Sequence, residues 1–484
     1  MIALTDRWAL RPLELFALDE GLKLAVCPEN GRWLALDETA LRLAASLDGQ
    51  RTVQEVVDSW AGTVTREQVT DLLSLLLQQG LLVQGRDSAA PVTAGCAAGS
   101  PGLGVLNLTR QCNLACTYCY ASACQPAAGQ HGADHMALET ALAIVEQMLA
   151  LNRPHHKRTT ILFHGGEPLL NFDVMAAVVA HYAGQDARDL RFEVQTNATL
   201  LTSEHAEWIR ANHISVGVSI DGDEQTNDIH RRTRAGLGSF ERIVAGISLL
   251  RAYGVRVGAI VVLTRDNYRE MDALFALFRR LGVRAVSLNP VFYGGRGANN
   301  ALRLELTGEQ LFEAYRAFTQ LTLAHNASVA TAEQRIEERQ TKYLTRNILV
   351  GEPSYMCLRT PCGAGRDTVA FDVNGDVYAC DVFVPQAQHR LGNIHEQPLA
   401  TLLAQASGAA ARSLSDVPEC AVCTWRVMCQ GICPAHRATA ANATVPHAEC
   451  DFRRRMIPYL IRLFIAQQGA QFLLDSGLEQ VAAP

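Results

Sequence analysis

All but three of the 14 cysteines fall into two groups whose spacing suits metal binding. The first group, Cys112, Cys116 and Cys119, has the spacing C-x3-C-x2-C, with the aromatic Tyr118 directly before the third cysteine. Three thiolates can bind three irons of a four-iron cubane and leave the fourth iron without a protein ligand. The amine and carboxylate of an amino acid can chelate that open iron, so an electron could pass from the cluster to a sulfonium bound there. A structural zinc site is the alternative, but it normally needs four protein ligands.

The second group lies in the C-terminal third of the chain. Its eight thiolates would satisfy two fully ligated cubanes; a pair of zinc ribbons is the alternative, because Cys420-x2-Cys423 alone would suit zinc. The members of this group are Cys357, Cys362, Cys380, Cys420, Cys423, Cys429, Cys433 and Cys450. The three cysteines outside both groups, Cys27, Cys96 and Cys124, are lone thiols to which we assign packing rather than chemistry.

Between Gly104 and Phe292, apolar strand-like runs alternate with helical patterns. Six such units in series predict an α/β fold, a partial (β/α)6 TIM-like barrel in which chemistry collects at the C-terminal ends of the strands. The predicted strands are 105–108, 160–163, 191–195, 215–220, 255–263 and 285–288, and the predicted helices include 138–151, 203–212, 240–253 and 268–281. Polar motifs follow the strands: Cys112, then Gly165-Gly166-Glu167-Pro168, Thr196-Asn197, Ser219 with Asp221, and Asn289.

The cysteine motif, the six units and the Gly-Gly-Glu-Pro segment together resemble the radical S-adenosylmethionine (radical SAM) superfamily. The resemblance implies that the cofactor is cleaved to methionine and a 5′-deoxyadenosyl radical, which abstracts hydrogen from the substrate. It also implies that Gly165, Gly166, Glu167 and Pro168 bind the methionine amino group. Ser219 matches a residue that contacts the ribose or carboxylate. Arg231 matches one that pairs with the carboxylate, although it could instead be a surface charge. Asn197 could reach the ribose or only secure its loop.

The C-terminal cysteines resemble the SPASM extension of radical enzymes along its whole length. By this resemblance, Cys357, Cys362, Cys380 and Cys433 hold an inner auxiliary cluster, and Cys420, Cys423, Cys429 and Cys450 hold an outer one. With the barrel cluster, the chain would carry three 4Fe-4S clusters. Asn374-Gly375 between strand-like runs predicts a hairpin turn. Asp381 follows Cys380, as in sulfatase-maturing relatives, and is our candidate base; the alternative is that it only caps a turn.

The first 86 residues form a separate unit with short strands at 15–18, 23–27 and 32–36 and helices at 38–46, 53–61 and 66–79. This order predicts a winged-helix-like domain. Its third helix is apolar and acidic, which suits a DNA groove poorly. A short sheet with a free edge can instead add an extended peptide as a strand. The pattern resembles the precursor-recognition element of pyrroloquinoline-quinone peptide chaperones, so we expect a precursor peptide to bind there.

The rest of the chain divides by composition. We predict a linker over 87–103, the radical SAM barrel over 104–298, a helical connector over 299–350, the SPASM domain over 351–452 and a C-terminal helix over 453–484. The net charge of -6 gives no basic field for nucleic acid, and no apolar run is long enough to cross a membrane. The N-terminus has charges where a signal peptide needs an apolar stretch, so a soluble cytoplasmic protein is predicted.

Together these features predict a radical SAM enzyme that installs a thioether or carbon–carbon cross-link in a ribosomally made precursor peptide, using an external flavodoxin- or ferredoxin-like electron donor. Two alternatives stay open. Asp381 favours oxidation of a sulfatase side chain to formylglycine, whereas the N-terminal unit disfavours it. A winged-helix iron–sulfur redox sensor is the third reading, but it would have no use for the segment Gly165 to Pro168.

Overall fold

The computed structural model describes residues 3–19, 21–84, 100–121, 134–184, 188–351, 353–405, 413–439 and 448–466. Cys96, Cys124, most of the predicted linker and the chain after residue 466 lie outside these ranges. In the part of the chain that the structure describes, no helix is both long enough and apolar enough to cross a membrane.

Residues 3–84 form a unit of two three-stranded sheets and three helices. The elements are β1 (Arg7–Leu10), β2 (Glu14–Ala17), β3 (Lys23–Val26), β4 (Trp33–Leu36), α1 (Glu38–Ala45), β5 (Asp48–Thr52), α2 (Val53–Ser59), α3 (Arg66–Gln78) and β6 (Leu82–Gln84). The three predicted strands and three predicted helices are confirmed as β2, β3, β4, α1, α2 and α3. The sheet β5-β1-β6 was not predicted, because its short strands lack apolar alternation. Cys27 is fully buried in the core of this unit.

Residues 103–290 form the six parallel strands of the predicted partial barrel, paired in sequence order. In β11 alternate residues are buried and pack in the main core with the surrounding helices, whereas Ile260 and Val262 between them line the cavity described below. The elements are β7 (Leu103–Thr109), α4 (Leu138–Asn152), β8 (Thr159–Gly165), α5 (Phe172–Ala183), β9 (Leu190–Thr196), α6 (Ser203–Ala211), β10 (Ser215–Ser219), α7 (Glu224–His230), α8 (Phe240–Ala252), β11 (Val257–Leu263), α9 (Met271–Leu281) and β12 (Ala285–Pro290).

The segment after the barrel contributes a further strand to the same sheet. Its elements are α10 (Gly295–Leu304), α11 (Gly308–Ser328), β13 (Glu337–Glu338) and α12 (Arg339–Val350). β13 pairs in parallel with β12. Buried Glu338 explains this placement, because its carboxylate accepts hydrogen bonds from the backbone N–H of Leu288, at 3.2 Å, and of Thr341, at 2.7 Å. Within the predicted helical connector, a short 3-10 turn and this strand precede α12, so the segment is not helical throughout.

The cysteine-rich domain extends the sheet on the other side of β7, to ten strands in all. β14 pairs in parallel with β7 and antiparallel with β15, and Gly375 has the left-handed φ of 85° that the predicted Asn374-Gly375 turn requires. The elements are β14 (Thr368–Phe371), β15 (Asp376–Tyr378), β16 (Arg390–Asn393), α13 (Leu399–Ala404), α14 (Pro418–Ala421), α15 (Arg426–Cys429), α16 (Pro434–Thr439) and α17 (Ala448–Ala466).

The N-terminal unit is packed against the cysteine-rich domain. Leu24 and Val26 of β3 are fully buried in the same core as the barrel and α17. The Phe16 ring lies 4.9 Å from the Trp425 ring. The Trp33 indole N–H donates a hydrogen bond of 3.1 Å to the carbonyl of Ile348. The unit therefore has a fixed position on the body of the protein.

Replacing Phe16 and Trp33 together by Ala should release the N-terminal unit. Each change removes an interfacial aromatic ring, at a cost of about 3 kcal/mol where such a ring is well buried. After cleavage at a protease site engineered within residues 85–99, we expect the wild-type unit to co-elute with the body in gel filtration and the double variant to separate. Leu75→Ala, at an exposed position of α3, is the control. Separation of the cleaved wild-type protein would contradict the docking.

Candidate active site

Cys112, Cys116 and Cys119 lie in the loop that follows β7. Backbone bonds fix the loop: the N–H of Ala115 donates to the carbonyl of Arg232 at 2.7 Å, and the N–H of Thr117 donates to that of His230 at 3.2 Å. Burial raises the pKa of the Cys112 thiol to about 12, and the nearby thiols of Cys116 and Cys119 add to the rise. Because burial disfavours the thiolate of Cys112, a bound cation is what would favour its deprotonated form.

The Gly165-Gly166-Glu167-Pro168 segment is wedged against the base of this loop. The N–H of Gly166 donates to the carbonyl of Thr109 at 2.7 Å. A Cβ on Gly166 would overlap the carbonyl of Gln111, and one on Gly165 would overlap that of Thr109. Pro168 is buried at the start of a short 3-10 turn. Glycine is required here by the close approach of two backbones, which sets the position of the cysteine loop.

Glu167 is 1% exposed, and its carboxylate is bound by the chain itself. It accepts hydrogen bonds from the Thr196 hydroxyl at 2.5 Å and the Asn197 N–H at 2.8 Å. Burial raises its pKa, and these donors act in the opposite direction. The carboxylate thus joins the ends of β8 and β9, and its predicted role in binding an amino group stays a prediction.

Asn197 secures the cysteine loop. Its side-chain N–H donates to the Asn113 carbonyl oxygen at 2.9 Å and lies 3.8 Å from the Cys112 sulfur. Its own carbonyl oxygen accepts from the Thr199 N–H at 3.0 Å. Asn197 therefore holds both its own loop and the cysteine loop, and its predicted contact with the ribose stays a prediction. Ser219, half-buried at the end of β10, lines the cavity described below.

Arg231 is 6% exposed, so it is not a surface charge. Its guanidinium donates to the Tyr118 hydroxyl at 2.8 Å, and that hydroxyl donates to the buried carboxylate of Asp221. Arg232, a neighbour that could have taken its place, is exposed and bonded to the Asp228 carbonyl. The Arg231 Nε is buried and has no hydrogen-bond partner among the described residues. A carboxylate is the ligand that would satisfy this donor, so the site fits an amino-acid cofactor.

The structure brings the auxiliary cysteines together in the two predicted sets. Burial raises the pKa of Cys433, and the thiols of Cys362 and Cys357 contribute to the rise; Cys380 is affected in the same way by Cys357. Burial likewise raises the pKa of Cys450 to about 11, with contributions from the thiols of the other three members of its set, Cys429, Cys420 and Cys423.

Among the described residues, no three His, Cys, Asp or Glu side chains lie close enough to hold a single metal ion. A zinc ion requires such convergence. A cubane binds each of its cysteines to a different iron, so its ligands are spread over a larger core.

One cavity of about 820 Å³ connects the barrel cysteines to the inner auxiliary set. Gly165, Gly166, Glu167, Asn197, Ser219 and Arg231 line its barrel wall, and Cys357, Cys362, Cys380 and Cys433 line the opposite wall. Cys357 is exposed, and the surface it presents includes this cavity. A molecule held in the cavity would lie between the two sets.

Asp381 lies beside this cavity, at the start of a 3-10 turn formed by Asp381–Phe383. Its carboxylate accepts a hydrogen bond of 2.8 Å from the Tyr120 hydroxyl and lies 3.0 Å from the Cys380 sulfur. Both features are present: the carboxylate is next to a predicted cluster ligand, and the residue begins a turn. The geometry leaves both of its predicted roles open.

Sequence reasoning missed His164, which is buried and lines the cavity directly before Gly165. Burial lowers the pKa of its imidazole, although Asp381 opposes this effect. Burial thus favours the neutral form of an imidazole that lines the cavity. Its position at the C-terminal end of β8 was the available signal, since polar residues at such ends serve the site.

Replacing Gly166 by Ala should remove the barrel cluster. The added Cβ would collide with the carbonyl of Gln111 and displace the loop that carries Cys112. We expect reconstituted protein to lose about four irons per chain, one cluster's worth, with loss of SAM cleavage. Gly184→Ala is the matched control, because nothing lies within 4 Å of a Cβ at that position. Full iron content in Gly166→Ala would show that the close approach of Gly166 to Gln111 does not determine the position of the cysteine loop.

Comparison with known proteins agrees with this geometry. Residues 106–278 match the Radical SAM superfamily, and residues 362–424 match SPASM, an iron–sulfur cluster-binding domain. The serine-type anaerobic sulfatase-maturating enzyme of Klebsiella aerogenes is 27% identical over 339 residues, covering 68% of this chain and 79% of that protein. An AdoMet-dependent heme synthase of Methanosarcina barkeri is 29% identical over 357 residues, covering 72% of this chain and 95% of that protein.

Two solved structures share the fold. Native anSMEcpe with bound AdoMet and a Cp18Cys peptide superposes with a TM-score of 0.62 at 21% identity, covering 76% of this chain and 99% of that one. Streptococcus suis SuiB bound to precursor peptide SuiA superposes with a TM-score of 0.51 at 14% identity, covering 92% of this chain and 98% of that one. The chain thus carries a radical SAM domain with a partial TIM-barrel-like α/β fold, followed by a SPASM domain, and these domains imply 4Fe-4S clusters and SAM.

Proposed function

We propose that this radical SAM enzyme modifies a ribosomally made precursor peptide by forming a thioether or carbon–carbon cross-link. The observation that carries the proposal is the single cavity between the barrel cysteines and the inner auxiliary set. Its volume of about 820 Å³ is within the range of small-molecule sites, so it suits a cofactor and one inserted peptide side chain.

Each cysteine set has a role in this proposal. Cys112, Cys116 and Cys119 hold the cluster at which SAM binds; the inner and outer auxiliary sets hold one closed cluster each, three in total. When bound, the barrel cluster and SAM supply the radical chemistry that removes a hydrogen atom from an unactivated carbon. Arg231 donates its unpartnered Nε to the cofactor's carboxylate, and Ser219 lies on the same wall. An external flavodoxin- or ferredoxin-like protein supplies the electron.

The N-terminal unit supports a peptide substrate. In its sheet β2-β3-β4, the outer strands β2 and β4 each pair only with β3 among the described strands. Leu15 of β2 is 50% exposed. An extended peptide can pair with such an edge, and pockets for its side chains would supply sequence specificity. The superposition with SuiB covers 92% of this chain, so it must include part of the N-terminal unit. The superposition with anSMEcpe covers only 76%.

Maturation of a sulfatase is the second candidate, because the sulfatase-maturating relatives and Asp381 both favour it. Asp381 lies next to Cys380 on the cavity's SPASM side, where a substrate proton could be accepted. The redox-sensor reading has less support, since a sensor has no need of a buried Arg231 Nε without a partner among the described residues.

Tandem mass spectrometry of candidate substrates separates the two enzyme readings. The protein is co-expressed with peptides encoded beside its gene and, separately, with a sulfatase peptide containing the target Ser or Cys. We expect a neighbouring peptide to lose hydrogen and to show a region that resists fragmentation, as a cross-link requires. A product that reacts with a hydrazide contains an aldehyde and would favour formylglycine instead. No change in either peptide, with SAM cleavage intact, would contradict both readings.

Replacing Asp381 by Asn should separate hydrogen abstraction from product formation. The amide keeps the size of the side chain but cannot accept the substrate proton, and loss of a general base typically costs about 100-fold or more. With a deuterated peptide, we expect label to enter 5′-deoxyadenosine while modified product falls steeply. Iron content is verified first, because Asp381 touches Cys380.

Tyr120→Phe is the matched control, since it removes the hydroxyl that bonds to Asp381 and keeps the carboxylate. This variant should retain product formation. Product from Asp381→Asn at the wild-type level would show that Asp381 only begins its turn.

A further inference from the structure

A buried ion pair on α17 lies between the two auxiliary cysteine sets. Arg453 and Glu449, one helical turn apart, are 5% and 7% exposed, and their Nη2 and Oε2 atoms lie 4.0 Å apart. Cys450 of the outer set belongs to the same helix. Two charges buried in this way carry a large desolvation cost, and apolar residues would often be at least as stable. The pair therefore calls for an explanation other than stability.

The positive end of the pair makes its direct contact with the outer set, although Arg453 also lines the cavity that the inner set borders. The Arg453 Nη1 donates a hydrogen bond of 3.1 Å to the carbonyl of Cys429 and lies 3.9 Å from its sulfur. It also donates to the carbonyl of Gly431. These bonds hold the guanidinium in one position. A fixed positive charge and a hydrogen bond at a cluster's sulfur ligand stabilise the reduced cluster, which carries one more negative charge.

The negative end faces the inner set. The Glu449 Oε1 lies 2.7 Å from the His436 Nδ1, and the backbone N–H of His436 is bonded to the sulfur of Cys433. Glu449 and Cys433 line the same cavity. A carboxylate so placed disfavours an additional electron on a cluster held by Cys433.

We propose that the Arg453–Glu449 pair separates the reduction potentials of the two auxiliary clusters, raising that of the outer cluster and lowering that of the inner one. The inference rests on the cluster assignment in the proposed function. This difference in potential gives electron transfer a direction. One electron passes from the inner cluster to the outer cluster, and no bond is made or broken. A one-electron carrier protein then oxidises the outer cluster. Arg453 and Glu449 are positioning residues, since they act through the cysteine ligands.

The test is an EPR-monitored redox titration of the reconstituted full-length protein. The signal of the outer cluster is identified by its absence from a Cys420→Ala/Cys423→Ala variant. In Arg453→Gln, we expect the outer cluster to become harder to reduce. At the wild-type midpoint potential its oxidised-to-reduced ratio should rise at least tenfold, which is 59 mV for a one-electron couple. In Glu449→Gln, the inner cluster should become easier to reduce. If the two residues had only a structural role, their replacement would not shift the reduction potentials of the two clusters in opposite directions.

Two variants keep the test decisive. Arg453→Lys retains the charge and should keep most of the wild-type potential, so it carries the test if Arg453→Gln loses iron. Arg455→Gln removes an equal charge from an exposed position on the same helix, where Arg455 pairs with Asp451, and should shift neither potential. Unshifted potentials in iron-replete Arg453→Gln and Glu449→Gln would overturn this inference alone. A wild-type protein without auxiliary clusters would overturn the cluster assignment of the proposed function and this inference with it.

Discussion

The parallel pairing of β7 with β14 is the constraint on which the site depends. Val105 is opposite Ala370 and Leu106 is opposite Phe371, so the barrel strand that leads to the first cysteine motif is in register with the hairpin that leads to Cys380. Arg110, just after β7, forms an ion pair with Asp372, just after β14. Both partners are largely buried, and breaking such a pair leaves an uncompensated charge. The distance between the barrel and SPASM cysteines is thereby set by the backbone.

The barrel end of the cavity is organised before any cofactor arrives. Glu167, Asp221 and Arg231 are all at least nine-tenths buried, and each is hydrogen-bonded to the chain. Charged groups can be buried at this density only when they compensate one another, which fixes their side chains. The Arg231 Nε is the donor of this network that has no partner among the described residues. A site arranged in this way does not need to reorganise around its ligand, and this is how electrostatic stabilisation is most effective.

The sequence was sufficient where local pattern determines structure. The six barrel strands and the Gly375 turn follow from apolar periodicity and from a φ that favours glycine, and their ends differ from prediction by few residues. The division of the eight C-terminal cysteines into an inner and an outer set came from the resemblance to the SPASM extension, and their assignment as cluster ligands stays a prediction. Features that depend on a distant partner could not be predicted. β13 has two residues and no periodicity, and it is held through Glu338 by a contact to Leu288, 50 positions away. Likewise, the apolar run of β3 shows that the strand is buried but not which domain covers it.

The docking of the N-terminal unit has a consequence for the outer cysteine set. Its contacts fall on the loop between Cys423 and Cys429: Glu14 accepts from the Thr424 hydroxyl, Phe16 packs on Trp425, and a Cβ at Gly31 would overlap Val427. From the other side, Arg453 of α17 holds the same loop through the Cys429 carbonyl.

The N-terminal unit also contacts α17, since the Trp33 ring lies 5.9 Å from that of Phe464. A loop of this length, with three apolar side chains and two cysteines, buries too little surface to fix its own conformation. Its shape therefore depends on the N-terminal unit and on α17 together. The unit is thus part of the structure that positions the outer cysteines, whatever else binds to its exposed edge.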